Sequence, residues 1–181
     1  MTDEDLVIEI QKGNTELFNE VTERYFDKIF RYTTKMHLGN TDDAEDSTSE
    51  TFYKAYRFIN SYSPSIPFSA WIYRIARNTV IDHLRPKMRH PNVSLDSYLE
   101  NNQDHFEDAP LDLSDKMMVE KFLEFVDEEE RSILALFYIE GLSVKEISDL
   151  YKIKENTITV KIKRAKSKIK KYASEKGINY E

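Results

Sequence analysis

SVKEISDLYKIKENTITVKIKRAKSKIKKY, residues Ser143 to Tyr172, reads as two helices and the turn between them. Ser143 and Glu146 make the S-x-x-E pattern, in which a hydroxyl and a carboxylate satisfy each other's backbone N–H groups at a helix start. The short helix they open carries Val144, Ile147 and Leu150 on one side. A turn at Tyr151–Lys154 leads into a final helix over about Glu155–Tyr172. There Ile158, Ile162, Ala165, Ile169 and Tyr172 recur at steps of four and three, which at about 100° per residue is a single core face. The opposite face holds Asn156, Val160, Lys163, Arg164, Ser167 and Lys171, with Thr159 on its flank. Nine basic residues and one acid, Glu155, lie between Lys152 and Lys171. A helix, a short turn and a basic helix form the helix-turn-helix pattern, whose second helix enters a major groove. Lys163 and Arg164 suit guanine edges or phosphates, and Thr159 and Val160 suit a thymine methyl. A solvated lysine-rich helix has the same composition, so this pattern alone says DNA binding and nothing narrower.

Upstream, Leu17, Phe18, Val21, Tyr25, Ile29, Tyr32 and Met36 form the stripe of one long helix, Thr15–His37,. Gly39-Asn40 ends it. A second helix is expected over Asp42–Ser61, with Thr41 as N-cap and acids in its first turn, where the helix dipole favours them. Pro64 and Pro67 make a loop of residues 61–67,. A third helix runs from Phe68 to Arg85 and stops at Pro86. Residues 86–112 have three prolines and no periodicity; from Pro91 to Asp112 there are six acids and no Lys or Arg, a composition that does not force a packed structure. Helices over Leu113–Val126 and Glu128–Glu140 follow, with Ile133, Leu134, Leu136 and Phe137 inward and Gly141 as a C-cap. The reading is all-α: two small helical domains, residues 1–90 and 113–181, joined by an acidic flexible linker, 91–112, with the helix-turn-helix in the C-terminal one.

Composition narrows the chemistry. The 181 residues include no Cys and 4 Gly, which excludes disulfides, Cys-ligated zinc, thiol catalysis and Gly-rich phosphate loops. No two of His37, His83, His90 and His105 have i,i+3 or i,i+4 spacing, so no metal site is expected. No apolar run approaches a membrane span, and the start, Met1-Thr2-Asp3-Glu4-Asp5, lacks the basic residues of a signal peptide,; a soluble, cytoplasmic protein is expected. The net charge of −7 is unevenly distributed. Residues 1–63 carry 7 basic and 13 acidic side chains, 64–91 carry 5 and 1, 92–130 carry 2 and 13, and 131–181 carry 12 and 6. Basic blocks neutralise phosphates, while acidic blocks favour a basic protein partner.

One basic block contains FSAWIYRIARNTVIDHLR, residues Phe68–Arg85. It places the sole Trp, two polar residues (Asn78 and Asp82) and several Arg on one helix after a Pro-flanked loop. Such a helix suits single-stranded nucleic acid, whose bases stack or enter pockets. A lone Trp71 also fits an ordinary core position.

This stretch closely resembles the second conserved region of bacterial RNA polymerase sigma factors of the small extracytoplasmic-function (ECF) class. Asp43-Ala44-Glu45-Asp46, with Ser49-Glu50-Thr51-Phe52 after it, looks like the family's preceding helix. Gly141-Leu142-Ser143, Glu146-Ile147 and Thr157 to Ala165 look like its fourth region. The motifs stand in the family's order and span nearly the whole chain.

The resemblance implies a protein that is not an enzyme and needs no cofactor. It implies binding to core RNA polymerase and promoter DNA, duplex and nontemplate single strand, with an anti-sigma factor as a further partner. Asp42, Asp43, Glu45, Asp46 and Glu50 would dock on the polymerase clamp. Phe68, Trp71, Arg74, Arg77, Asn78, Asp82 and Arg85, with the loop before them, would read and open the −10 element by capturing a flipped base. Asn156, Thr159, Val160, Lys163, Arg164 and Ser167 would read the −35 element. Two departures stand out: Ser49 replaces the usual Gln, and Thr159-Val160 replace a basic and a hydroxyl residue, which bears on the promoter sequence read. The alternatives are a stand-alone helix-turn-helix regulator, which leaves the acidic helix and the Trp71 motif without purpose; an adaptor using its acidic helices alone; and an enzyme using paired carboxylates such as Asp42-Asp43, for which no accompanying nucleophile or cofactor loop exists.

Overall fold

A computed structural model describes residues 1–85 and 113–177, and the side chains of all of these except 113–115. The expected linker, 91–112, lies outside the described residues. Among the described residues the elements are helical, without strands. They are α1 (Asp3–Gln11), α2 (Phe18–Met36), α3 (Thr41–Arg57), α4 (Phe68–Leu84), α5 (Leu113–Phe122), α6 (Glu128–Leu134), α7 (Val144–Tyr151) and α8 (Glu155–Glu175).

α1 has no counterpart in the sequence reading. Thr2 caps it in a reciprocal box with Asp5, and it buries Leu6, Val7 and Ile10. Its role is to hold the loop that precedes α4. Gln11 Nε2 donates to the carbonyls of Ile59 (2.8 Å) and Tyr62 (3.0 Å), and Glu4 accepts from the Phe68 N–H (3.1 Å). Because Pro67 at the α4 N-cap offers no side-chain acceptor, Glu4 satisfies a donor that a helix start otherwise leaves open.

The expected Thr15–His37 helix is a 3-10 turn, Thr15–Leu17, followed by α2. The N-cap of α3 is Asn40, not Thr41: its side chain accepts from the Asp43 N–H. α3 gives way at Phe58 to a 3-10 turn, Ile59–Ser61. Tyr25, Tyr32, Tyr62, Phe68 and Trp71 are buried with Ile29, Met36 and Ile72 between α2, α3 and α4, and edge-to-face pairs such as Tyr25–Phe68 and Tyr62–Phe68 order them,.

In the C-terminal half α5 stops at Phe122, and residues Leu123–Phe125 tighten into a 3-10 turn. α6 starts at a capping box of Asp127 and Glu130. It does not continue as α-helix to Glu140. Residues Ala135–Ile139 form a π turn, closed by the Glu140 N–H donating to the Ala135 carbonyl (3.0 Å). An extra residue in the turn re-aims everything after it; here Glu140 comes to face α2 and α4. Ser143 and Glu146 form the expected capping box on α7. Lys152 closes α7 in the left-handed conformation (φ 58°), and α8 presents Ile158, Ile162, Ala165 and Ile169 to α6 and α7, all buried.

Ile147 is fully buried where α7 meets this core. Ile147→Ala is expected to cost about 2–5 kcal/mol through lost transfer energy and the residual cavity, read as a lower midpoint in urea unfolding followed by circular dichroism.

Candidate nucleic-acid interface

α8 exposes Asn156, Lys163, Arg164, Ser167 and Lys171, and half-buries Thr159 and Val160. The Thr159 hydroxyl donates back to the Glu155 carbonyl (3.1 Å). Lys161 (2.8 Å to Glu129) and Lys168 (to Glu130) turn the other way, onto α6. Part of the basic block thus stabilises the domain, and the outer face is left to the residues singled out by the helical wheel. That face fits the convex, cationic surface a major groove accepts.

The second expected interface is built on α4. Phe68 is corrected: it has no accessible surface, packing against Tyr25, Tyr62 and Trp71. In this structure it supports the surface and cannot touch a ligand. Trp71 is 8% exposed and packs against Tyr62 and Phe68. It belongs to the core, yet it also walls a cavity of about 270 Å³ with Lys54, Phe58, Ser61, Ile75 and Asn78. Phe58 is half exposed at the cavity rim, and Lys54 donates to the Thr79 hydroxyl (3.2 Å). Asn78, Asp82 and Arg85 are exposed, the last two paired at 3.1 Å.

Arg74 and Arg77 do not face solvent with them. Arg74 Nε donates to the Leu150 carbonyl (3.1 Å) and its Nη2 to that of Asp149, so its guanidinium sits on the C-terminal end of α7. Arg77 lies over the Tyr151 ring, 4.4 Å from the centroid. Ser69 donates to Glu146 (2.8 Å). Beside them Glu140, whose side chain has no exposed surface, accepts two bonds from Arg31 (2.8 Å each) and one from the Tyr73 hydroxyl (2.7 Å). Ser132 is bonded to Tyr32 (2.8 Å) and Tyr151 (2.7 Å), and Arg131 donates to the Met36 carbonyl (3.2 Å). The two helical halves therefore share a polar seam. Of its acidic members, Glu146 is legible in the sequence only as a capping residue and Glu140 only as the end of a helix.

On α3, Asp42, Glu45 and Asp46 are exposed, as is Ser49. Asp43 is half-buried at the cap with Asn40. Glu50 is engaged by Lys54 (2.8 Å) and by His83; the Lys54 bond first, then the His83 bond, holds its carboxyl below the usual range. Exposed Phe26 and Tyr53, on α2 and α3, add an aromatic element that charge counting missed.

Residues 21–90 match the family model of Sigma-70 region 2, and residues 116–169 that of Sigma-70, region 4. The chain is 30% identical over 175 residues to the ECF RNA polymerase sigma factor SigW of Bacillus subtilis, covering 90% of this chain and 92% of that protein. It belongs to the ECF RNA polymerase sigma factors. An ECF sigma-E factor of Haemophilus influenzae is 30% identical over 181 residues, covering 93% of this chain and 94% of its own length. Among solved structures, CnrH in complex with the cytosolic domain of CnrY covers 95% of this chain and 97% of its own, with TM-score 0.69 at 20% identity. RpoE of Bartonella quintana in complex with the anti-sigma factor NepR covers 85% and 94%, with TM-score 0.62 at 21% identity; both likenesses show the fold. As a sigma factor the chain directs promoter-specific initiation by RNA polymerase. A stand-alone regulator built on the C-terminal half leaves the match over residues 21–90 unaccounted for. Among the described residues no helix is long and apolar enough to cross a membrane.

Glu146 shows how the seam and the helix-turn-helix share one group. Burial alone raises its carboxyl, but the Ser143 backbone N–H and the Ser69 and Ser143 hydroxyls together hold it below the usual value of 4.5. Glu50 is lowered likewise. A depressed carboxyl adds stability that is present above its unfolded value and lost as pH falls through the folded one. The urea midpoint of this sigma factor is expected to fall as pH drops below about 4.5, with a shallower fall in Glu146→Gln; parallel profiles for the two proteins would remove Glu146 from that role.

Proposed function

We propose that the three surfaces divide promoter recognition as follows. Exposed Asp42, Glu45 and Asp46 dock on a basic surface of core RNA polymerase, helped by the neighbouring Phe26 and Tyr53 rings. Asp43 and Glu50 act there mainly by shaping α3, since both carboxylates are already engaged within the domain. α8 reads the −35 duplex through Asn156, Thr159, Val160, Lys163, Arg164 and Ser167. α4 and the loop before it take the −10 nontemplate strand.

The observation that carries the −10 assignment is the cavity of about 270 Å³ beside α4. It lies just below the range of roughly 300–1,000 Å³ typical of ligand pockets, a scale suited to one planar base. Trp71 and Phe58 supply flat walls, Asn78 a donor and an acceptor for a base edge, and Lys54 a cation. Extruding a base costs a few kcal/mol of stacking and pairing, and capture in this cavity offsets that cost, so reading and opening become one event. Asp82 and Arg85 continue the exposed α4 edge, and Arg74 and Arg77 follow the strand's phosphates once α7 has left them.

No step of this scheme hydrolyses a nucleotide, so the chain acts without catalysis of its own and without a cofactor, in the bacterial cytoplasm where polymerase works. An anti-sigma partner is inferred because the related RpoE of Bartonella quintana is found with the anti-sigma factor NepR.

Transcription with bacterial core polymerase on a genomic promoter library tests the assignment. Arg164→Ala is expected to weaken −35 promoters by about 1–3 kcal/mol if it reads a base bidentately; equal loss on all sequences makes it a phosphate contact. Charge reversal of Asp42 and Asp46 is expected to reduce co-elution with polymerase, and unchanged assembly takes α3 out of the interface. Asn78→Ala is expected to leave assembly intact and to reduce permanganate reactivity at −10 thymines. A wild-type footprint from that variant contradicts the cavity's role.

A further inference from the structure

Ser47, Glu50 and Lys54 recur at steps of three and four on α3, and Phe58 follows at its end; Ile75, Thr79 and His83 recur at steps of four on α4. The two rows meet side chain to side chain. The buried Ser47 hydroxyl bridges His83 Nδ1 (3.1 Å) and, at the end of α2, His37 Nε2 (2.8 Å). His83 Nε2 donates to Glu50 Oε2, and Glu50 Oε1 accepts from Lys54 Nζ (2.8 Å). Lys54 also donates to the buried Thr79 hydroxyl (3.2 Å). The rows end at the cavity of about 270 Å³, where Phe58 and Ile75 are walls together with Trp71 and Asn78. An ammonium has three N–H donors. Glu50 and Thr79 take two of them, and Lys54 is itself a wall of the cavity.

We propose that Glu50 and His83 are positioning residues of the −10 cavity: they hold the Lys54 ammonium at its wall so that the third N–H meets an acceptor atom on the captured base. The inference rests on the assignment of a flipped −10 base to that cavity. For packing α3 on α4 alone, apolar side chains of similar volume serve as well as a row of half-buried charges, and Phe52, Ala55, Ala76 and Val80 of the same helices are buried apolar groups. A lysine on a free stem loses rotamer freedom when it meets a ligand; one already fixed by two acceptors has less to lose. Glu50 also neutralises the ammonium, so Lys54 acts as a directed donor to a base edge and not as a point charge for phosphate. α3 is thereby divided between two tasks. Asp42, Glu45 and Asp46 stay exposed for polymerase, whereas Glu50, an acid of the same helix, is bonded to α4 and serves the promoter.

Holoenzymes assembled from core polymerase and full-length variants are compared by fluorescence anisotropy with a labelled single-stranded oligonucleotide carrying the nontemplate −10 strand of a promoter the holoenzyme transcribes. An abasic site is walked through the −10 element. In the wild type one abasic position is expected to weaken binding, which marks the captured base. Lys54→Met is expected to weaken the intact strand about tenfold, as for one hydrogen bond from a charged donor, and to leave the strand lacking that base unaffected. His83→Leu and Glu50→Gln are expected to weaken the intact strand about three- to tenfold and to add nothing in the Lys54→Met background. His83→Gln, whose amide still donates to Glu50, is expected to return toward wild type. Circular dichroism confirms folding, and the near-isosteric Glu50→Gln carries the test if His83→Leu does not fold. Penalties that persist on the abasic strand, or that add to that of Lys54→Met, make the row a packing device and overturn the proposal. Lost co-elution of Glu50→Gln with polymerase returns Glu50 to the polymerase face, and a shallower salt dependence in Lys54→Met makes Lys54 a phosphate contact; either result overturns it too. If no abasic position matters in the wild type, no base is captured and the −10 assignment itself fails. If one matters, and Asn78→Ala abolishes the sensitivity while Lys54→Met does not, that assignment stands and the positioning role is refuted.

Discussion

A carboxylate with no exposed side-chain surface is costly to bury unless cations and donors meet it. Glu140 is such a group, and the arrangement of the two halves follows from how it is satisfied. Arg31 on α2 gives it a two-pronged ion pair, and Tyr73 on α4 gives it a hydroxyl. No other element of the C-terminal half supplies a partner among these contacts, so Glu140 keeps its bonds only while the halves stay together. Hydrogen bonds to charged groups contribute roughly 1.5–3 kcal/mol each at most, and Arg31 is nearly half exposed, so the net hold is modest.

The rest of the seam has the same character. Its bonds are largely polar: Ser69 to Glu146, Ser132 to two tyrosines, and Arg74 and Arg131 to carbonyls at helix ends. Because both halves belong to one chain, their effective concentration is of order millimolar, and weak bonds suffice to close them. Polymerase and promoter DNA can then compete on realistic terms. The aromatic cluster around Tyr62, Phe68 and Trp71 behaves differently. It is packed inside the N-terminal half, and through Trp71 it forms a wall of the cavity beside α4.

Much of this was legible in the sequence because it is local and periodic. The stripe of Val21, Tyr25, Ile29 and Tyr32, the Ser143–Glu146 box and the Ile158–Ile169 face all depend on spacings of three and four, and all are found as read. What escaped depends on distant pairs. α1 was missed because its nine residues carry only a short apolar set, and its value lies in Gln11 and Glu4 reaching a loop some fifty to sixty positions away. Phe68 sits on the motif helix, and one sequence does not distinguish a ring that supports a surface from one that forms it. Arg74 and Arg77 read correctly as basic but not as occupied. The π turn at Ala135–Ile139, which turns Glu140 toward its partners, leaves no mark in the hydrophobic pattern.

Arg74 on the end of α7 and the pairings of Glu140 hold the two halves together in the free chain. With no native Cys in the chain, Glu16→Cys and Ser174→Cys give two clean attachment points on exposed residues of opposite halves. Energy transfer between labels at these sites, measured on the free chain and again with core polymerase and promoter DNA, tests it most directly. A single short distance is expected in the free chain and a longer one in the promoter complex. The same distance in both states would contradict it, as would a free chain already spread over long distances.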